Sequence, residues 1–514
     1  MAVQPNGSGT PEEPYQITEA GHLVWINEDL DAHYILMKDI DLSLNGAKTE
    51  WSPIGPSSSN AFTGVFDGNG HTISGFKLSA PEGTETPDTT NLAFFGYLDA
   101  ATVKNVTFAN ATLTIDYASI RNNAIVAGTL NGGAKLSQCV VADSVKIEST
   151  EGVKTTSAYF SIAALAGYAN NGSNVIEYCV NNANIDVVGI NTAATADYFA
   201  IAGIIAQAAT VDVRYCINNG NITVSEAGRA WQYVAGIMAK NVTWGTRSIT
   251  NCINNGNVTY TGVATLVTSA FIPGGVFGSM TSNSYSVKIN NCFNFGTVSS
   301  GDATDARFGQ ISGYGRNIQT VSTTTNYGVN TLGPVDGVAS AAWGNVSKTA
   351  DELKAMPAYQ AIVAEVAEHL TGISTDLYGY QTSAEKDGKY DLRLVATISG
   401  DYTKCQNVGF EAKVTYKNGD GNLVEKSATM YSTNLYTAVR ATDKAGTETT
   451  DVTADKLGGD FIFVLVCKNL PADATEVTFT VTTFYTTANG RVNSELETLP
   501  VVLPGDDVTS ENAA

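Results

Sequence analysis

Metal binding and acid–base catalysis need histidines, cysteines or carboxylates at set spacings, and this sequence distributes those residues in an unusual way. Its four histidines, His22, His33, His71 and His369, are widely separated and form no His-Glu-x-x-His pair, so a metalloprotease is not expected. Glu368-His369 falls at an expected helix end, where a histidine interacts favourably with the dipole. Five of the seven cysteines recur: Cys139, Cys179, Cys216, Cys252 and Cys292 are spaced by 40, 37, 36 and 40 residues. In a stack of equivalent coils, such a column holds neighbouring Cβ atoms at the strand spacing, wider than a disulfide wants. These cysteines are therefore expected as small buried hydrophobes. Cys405 and Cys467 lie outside the column and are candidates for a disulfide in a second domain. Neither a metal site nor a cofactor is expected, and no motif supports calcium.

A hydrolase or lyase requires convergent carboxylates, or a basic residue beside acidic cation ligands. Asp186, Asp197, Asp212, Arg214, Glu226, Arg229, Lys240 and Arg247 are charged but do not recur in one column, so no catalytic residue is assigned. Asp67 and His71, in Asp67-Gly-Asn-Gly-His, invite an acid–base pairing, yet Asp-Gly and Asn-Gly are turn chemistry and a corner is the better account. The aromatics give the strongest binding signal. Tyr159, Tyr198 and Trp231 each stand three residues before Ile162, Ile201 and Val234, with Phe160, Phe199 and Tyr233 close by and Asp197 and Arg229 flanking. Along a rigid wall such rings could stack on pyranose faces while the charges meet hydroxyls. They could equally seal a corner of the coil. Both alternatives stand.

The elements that would hold this wall come from an internal repeat. Tyr178-Cys-Val-Asn-Asn-Ala-Asn-Ile, Tyr215-Cys-Ile-Asn-Asn-Gly-Asn-Ile, Asn251-Cys-Ile-Asn-Asn-Gly-Asn-Val and Asn291-Cys-Phe-Asn-Phe-Gly-Thr-Val are four copies, and Thr324-Thr-Asn-Tyr-Gly-Val is a sixth-coil remnant without cysteine. Upstream of each cysteine lies a small-residue strand: Val126-Ala-Gly-Thr, Ile162-Ala-Ala-Leu, Ile201-Ala-Gly-Ile, Val234-Ala-Gly-Ile and Pro273-Gly-Gly-Val. The spacing predicts three short strands per repeat: an Ala-Gly strand, a Cys strand and an Asn-Ile-Thr-Val strand. None could hold a sheet alone, so copies must stack as a right-handed parallel β-helix over residues 60–346. Asn181, Asn218, Asn254, Asn294 and Asn326 then form an expected amide ladder at roughly 4.8 Å spacing, two positions after the cysteine. Asparagine is also simply a good turn residue. Spare chain in each repeat, as at 241–248 and 263–272, is expected in loops, where recognition usually lives.

The ends need covering, because a terminal coil would present unpaired edges. Residues 1–59 are expected to supply an N-terminal strand and helix cap, the helix over Glu19 to Leu30. The stretch 347–375 is expected to be a helical C-terminal cap and junction. There Thr349-Ala-Asp-Glu352 is a capping box and Pro357 opens a second helix that Gly372 stops. From 376 to 503 apolar runs such as Val408-Gly-Phe-Glu-Ala-Lys-Val-Thr-Tyr and Phe461-Ile-Phe-Val-Leu-Val-Cys alternate with turns, which indicates an antiparallel β-sandwich. Residues 504–514 are expected as a flexible tail.

Several stretches resemble bacterial surface proteins with GLUG-type β-helix repeats: Gly9-Thr-Pro-Glu-Glu-Pro-Tyr-Gln-Ile, Tyr34-Ile-Leu-Met-Lys-Asp-Ile-Asp-Leu, Trp51-Ser-Pro-Ile-Gly, Phe62-Thr-Gly-Val-Phe-Asp-Gly-Asn-Gly-His-Thr-Ile-Ser-Gly and the Ala-Gly-Ile-Ile…Cys-Ile-Asn-Asn-Gly-Asn-Ile repeats. The resemblance covers about residues 9–350. It implies secretion or cell-surface display by gut bacteria, and adhesion. The C-terminal domain is similar to a β-sandwich appended to exported Firmicute proteins. The resemblance assigns no catalytic residue.

Net charge is −21 with a pI near 4.5, which repels nucleic acid and anionic lipid. No 18-residue apolar run exists for membrane insertion, and the start lacks the apolar core of a signal peptide, so an exported parent would have lost its leader. The expected function is an adhesin-like binding protein presenting a β-helix wall to a glycan or a host or dietary glycoprotein. A carbohydrate-active enzyme, lyase or glycosidase, and a structural stalk without ligand are the alternatives. The absence of a recurring acid pair tilts the choice away from catalysis.

Overall fold

The computed structural model describes residues 2–79, 91–115, 122–150, 154–155, 159–188, 191–192, 198–225, 231–242, 245–261, 271–280, 287–299, 309–313, 318–319, 326–329, 346–371, 373–383, 385–400, 405–432, 435–436, 438–443, 448–453, 461–487, 490–494 and 497–503. Two compact units divide between Lys354 and Ala355.

The first unit is a parallel β-solenoid. Its strands are short and rich in Val, Ile and Ala, and each finds its hydrogen-bond partners in the coils above and below. Ile201 pairs with Val234, Ile205 with Met238, Val213 with Ile249 and Ile222 with Val258, all parallel and in register. The stacking starts earlier than residue 60: Tyr15–Ile17 pairs with His33–Leu36, which pairs with Val65–Asp67. One continuous apolar core runs from Tyr15 to Ile311. The helix α1 (Ala20–Trp25) and the 3-10 turn Ile26–Glu28 contribute Leu23 and Ile26 to that core.

Each coil has more corners than three strands provide. The Ala-Gly strand is two strands, such as Tyr198–Ala202 and Ile205–Ala208, which belong to separate six-stranded sheets, here the leading and trailing sheets. In the three later coils the bend falls on glycine, whereas one coil earlier Ala164 takes that place, following Ala163 as Gly203 follows Ala202. A Cβ on Gly203, Gly236 or Gly275 would stand 2.2, 2.1 or 2.3 Å from the side-chain oxygen of Asn218, Asn254 or Asn294. In those three coils the two signature motifs are therefore one steric unit.

The Cys strand is also interrupted. The residue before each cysteine is left-handed: φ is 57° at Gln138, 53° at Tyr178, 52° at Tyr215, 54° at Asn251 and 50° at Asn291. That conformation costs a non-glycine residue about 1–2 kcal/mol. The stacked rings of Tyr178 and Tyr215, centroids 5.3 Å apart and 19° from parallel, offset part of it. Beyond the kink, strands such as Ile185–Val188 and Ile222–Ser225 form an eight-stranded return sheet.

The capping box forms at the end of this unit: Glu352 accepts from the Thr349 backbone N–H at 2.8 Å, and the Thr349 hydroxyl oxygen accepts from the Glu352 N–H at 3.2 Å. The helix it opens, α2 (Ala350–Lys354), packs near the strand Tyr327–Val329. The next helix, α3 (Pro357–Thr371), behaves differently from the expected common plug. Its buried Ile362 and Val366 belong to the second unit, and it packs against Gly490–Asn493.

The second unit holds two antiparallel sheets of five strands whose buried faces share one apolar core. The alternation Tyr390, Leu392, Leu394, Ala396, Ile398 fills it from one side and Val408, Phe410, Ala412, Val414, Tyr416 from the other. Phe410 and Phe463 meet across it at 4.9 Å.

Candidate functional site

The repeat motif is consumed by columns of hydrogen bonds. Asn181 Nδ2 donates to Asn218 Oδ1 at 2.8 Å, Asn218 to Asn254 at 2.7 Å and Asn254 to Asn294 at 2.7 Å, and all four side chains are buried. The same amides donate to the carbonyls of Ala183, Gly220, Gly256 and Gly296, closing each turn. The next asparagine forms a second, exposed column, Asn255 to Asn219 to Asn182, at 2.7 Å a step. A third joins Asn184, Asn221 and Asn257 through backbone N–H donors. Asn326 leaves this scheme. It stacks on Cys292, whose N–H it accepts at 3.0 Å, while Gly328 lies opposite Asn294. The cysteine is replaced there by an amide that also donates to the Ile289 carbonyl at 3.1 Å.

The five column cysteines form no disulfide. The five in the column are buried and donate to carbonyls, as Cys216 does to Ile176 at 3.5 Å; burial pushes Cys139, Cys216 and Cys292 up, which keeps them protonated. Cys405 and Cys467 form no disulfide. Cys467 lies opposite Leu392 in one sheet, and Cys405 leads into the strand Asn407–Lys417 of the other.

The predicted aromatic wall is in register: Tyr159 pairs with Tyr198 and Tyr198 with Trp231. The side chains of Tyr159 and Trp231, and all of Asp197, Glu226 and Arg229, lie outside the described residues. Tyr198 is half-buried, and its hydroxyl donates to Gln207 Oε1 at 3.3 Å. Its ring face carries the Lys240 Nζ, 2.8 Å from the centroid. Tyr233 meets it edge-on at 6.0 Å and is itself buried, which pushes its phenol up to about 12. Phe160 and Phe199 turn inward and pack edge to face in the core.

Sequence reasoning missed what fills the cleft between the leading and trailing sheets. A buried chain of polar side chains runs across the coils. Thr129 donates to Asn91 at 2.7 Å, Asn122 to Thr129 at 2.9 Å, Ser161 to Asn122 at 3.2 Å and Gln207 to Ser161 at 3.1 Å. Asn91, Asn122, Ser161, Ala200 and Tyr233 are one register column, each the second residue before an alanine: Ala93, Ala124, Ala163, Ala202 and Ala235.

Lys240 ends that cleft at 1% exposure, without a carboxylate partner among the described residues, and burial pulls its pKa down to about 6. The unfolded chain then binds one more proton than the folded chain between pH 6 and the ordinary lysine value of 10.5. Stability therefore rises with pH across that window. Lys240→Met is expected to raise the melting temperature at pH 7, and its advantage over the parent should shrink as the pH approaches 10. Melting curves at pH 7 and pH 10 test this, and a pH-independent difference contradicts it.

The outer face of the cysteine sheet gathers the charges. Glu177, almost buried, takes Lys135 and Arg214; the Arg214 Nε–Glu177 distance is 2.9 Å, and Arg214 also reaches Asp212 at 2.9 Å. Asp212 accepts from the Ser248 hydroxyl. Burial would raise the Glu177 carboxyl, but Lys135 and Arg214 outweigh it and hold it below the usual range. Glycoside hydrolysis needs one carboxyl held protonated, the opposite of the shift at Glu177. Glu177 escaped the sequence reading although it stands two residues before the cysteine, in one column with Ser137 and Arg214. Asp186 is on the return sheet and Arg247 is buried against the carbonyls of Ala208 and Gly245, so neither joins the cluster. Asp67 and His71 also part: Asp67 bonds Asn69 N–H and Lys104, and His71 bonds Asp39 at 3.2 Å.

Fold and columns together define a parallel β-solenoid scaffold whose repeated polar residues act on one another. No family model matches the chain. It is similar to a protein of Evansella cellulosilytica described as a "Putative Gly-rich membrane protein", 32% identical over 29% of this chain and 16% of that protein. It is also similar to halomucin of Haloquadratum walsbyi, 37% identical over 24% of this chain and 1% of that protein. The chain therefore matches less than a fifth of either relative's length. Among the described residues no helix is long and apolar enough to cross a membrane.

Proposed function

We propose that this chain is a surface-displayed scaffold: a right-handed solenoid, covered at its N-terminal end by α1, that acts as a structural spacer with an antiparallel β module. The observation carrying this reading is the fate of the repeat residues. Asn181 to Asn294, Asn182 to Asn255 and the five cysteines are spent on the neighbouring coil, which specifies stacking. The right hand follows from the crossover rule for parallel strands. The name of the Evansella relative, a membrane protein, supports an envelope location.

A second reading keeps the glycan wall, favoured by the register of Tyr159, Tyr198 and Trp231. It requires a sugar to displace the Lys240 amine from the Tyr198 face, which costs the lysine its contact with the ring. A glycan array with product analysis on any hit separates the two. The scaffold reading expects no retained glycan and no new reducing or unsaturated ends. Retention that is lost in the Tyr159→Ala/Tyr198→Ala/Trp231→Ala variant, with its melting unchanged, would establish the wall.

A further inference from the structure

We propose that the second unit pairs with another copy of this chain through the strand Leu423–Ser432. This strand of 10 residues closes one end of its sheet. It pairs without interruption with its inner neighbour, from Val408 opposite Ser432 to Lys417 opposite Leu423, and no described strand lies on its other edge. Proteins usually shield such an edge with proline, a bulge or an inward-pointing charge. Here there is no proline and no break in register. Its two charges are engaged within the unit: Glu425 with Lys413 at 2.7 Å, and Lys426, the one charge on the core-facing side, opposite Val414 and over the Tyr416 ring. The apolar residues are instead at its two ends and in solvent: Leu423 at 71%, Met430 at 43% and Tyr431 at 54% exposure.

Their spacing identifies the occupant. Antiparallel self-pairing about a two-fold axis at Ser427 sets Leu423 opposite Tyr431 and Val424 opposite Met430 of the second copy. Glu425 then faces Thr429, and Lys426 faces Ala428. Residues opposite each other in an antiparallel pair share a face, so each apolar end covers the other and no like charges meet. Moving the axis to Lys426 would oppose that lysine to itself. The strand is thus self-complementary in one register, and the contact is isologous, as a closed dimer requires.

Sedimentation of the full chain is expected to show a dimer that dissociates in Leu423→Lys/Tyr431→Lys. In a Cys405→Ser/Cys467→Ser background, Ser427→Cys is expected to cross-link to itself under mild oxidation, since opposed Cα atoms in such a pair lie within disulfide range. Glu425→Cys alone should not cross-link, whereas a mixture of Glu425→Cys and Thr429→Cys chains should. A chain that stays monomeric to its solubility limit overturns the proposal. So does a dimer indifferent to the lysine pair, or one in which Glu425→Cys links to itself. Should the lysine variant fail to fold, the Ser427→Cys link decides the matter.

Discussion

Gly236→Ala is expected to abolish cooperative folding of the solenoid, or to destabilise it by about 4 kcal/mol or more. The added Cβ would stand 2.1 Å from Asn254 Oδ1 and 2.4 Å from the Gly275 carbonyl oxygen. Neither obstacle can retreat without loss. Turning the Asn254 amide away breaks its bonds to Asn218 and Asn294, and moving Gly275 shifts the backbone of the next coil. Overpacking alone costs about 1–3 kcal/mol, and each buried amide left unpaired adds about 1–3 kcal/mol. Calorimetry of the variant should show the solenoid transition lost or moved far down while the second unit still melts. A variant within 1 kcal/mol of the parent would mean that the glycine bend and the amide column are not in contact.

Asn218→Ala is the second large effect, expected at about 3–5 kcal/mol. The side chain accepts from Asn181 and donates to both Asn254 and the Gly220 carbonyl, and no water reaches the site. Its truncation strands three buried groups at once. The neighbouring Asn219→Ala removes an amide from the exposed column, where solvent can replace the lost bonds, and should cost less than about 1 kcal/mol. Chemical denaturation of the two variants side by side measures the contrast. Equal losses would deny the buried column its special weight.

The solenoid was legible because its repeat is strict. Cysteines 36 to 40 residues apart, with asparagine at a fixed offset, leave little choice but vertical neighbours in parallel strands. What the text could not show was contact between columns. The need for glycine at the Gly203 bend comes from the Asn218 side chain 15 positions later, and nothing in the Ala-Gly run marked the bend, so it looked like one strand. Asn326 was misplaced for a related reason. Asn-Tyr-Gly matches the spacing of Asn294-Phe-Gly, yet the coil aligns Asn326 with the missing cysteine, and the Gln310 side chain packs against Gly328. Tyr198 was found, but the lysine covering its face comes from the next coil's trailing strand, whose residues carry no shared motif. Glu177 became visible only beside Arg214, because stacked charges alternate in sign instead of repeating. The second unit was readable from alternation alone, while the place of Leu423–Ser432 at one end of its sheet needed the strand order.

The account rests on Asn219 and Asn255 being vertical neighbours on the outside of consecutive coils, and a spin-label pair at those two exposed positions measures that directly. In-register stacking places the labelled backbones about 5 Å apart, so continuous-wave spectra should show strong dipolar broadening. Unbroadened spectra, with a separation beyond about 20 Å, would mean that the coils do not stack, and the columns built on them would not exist.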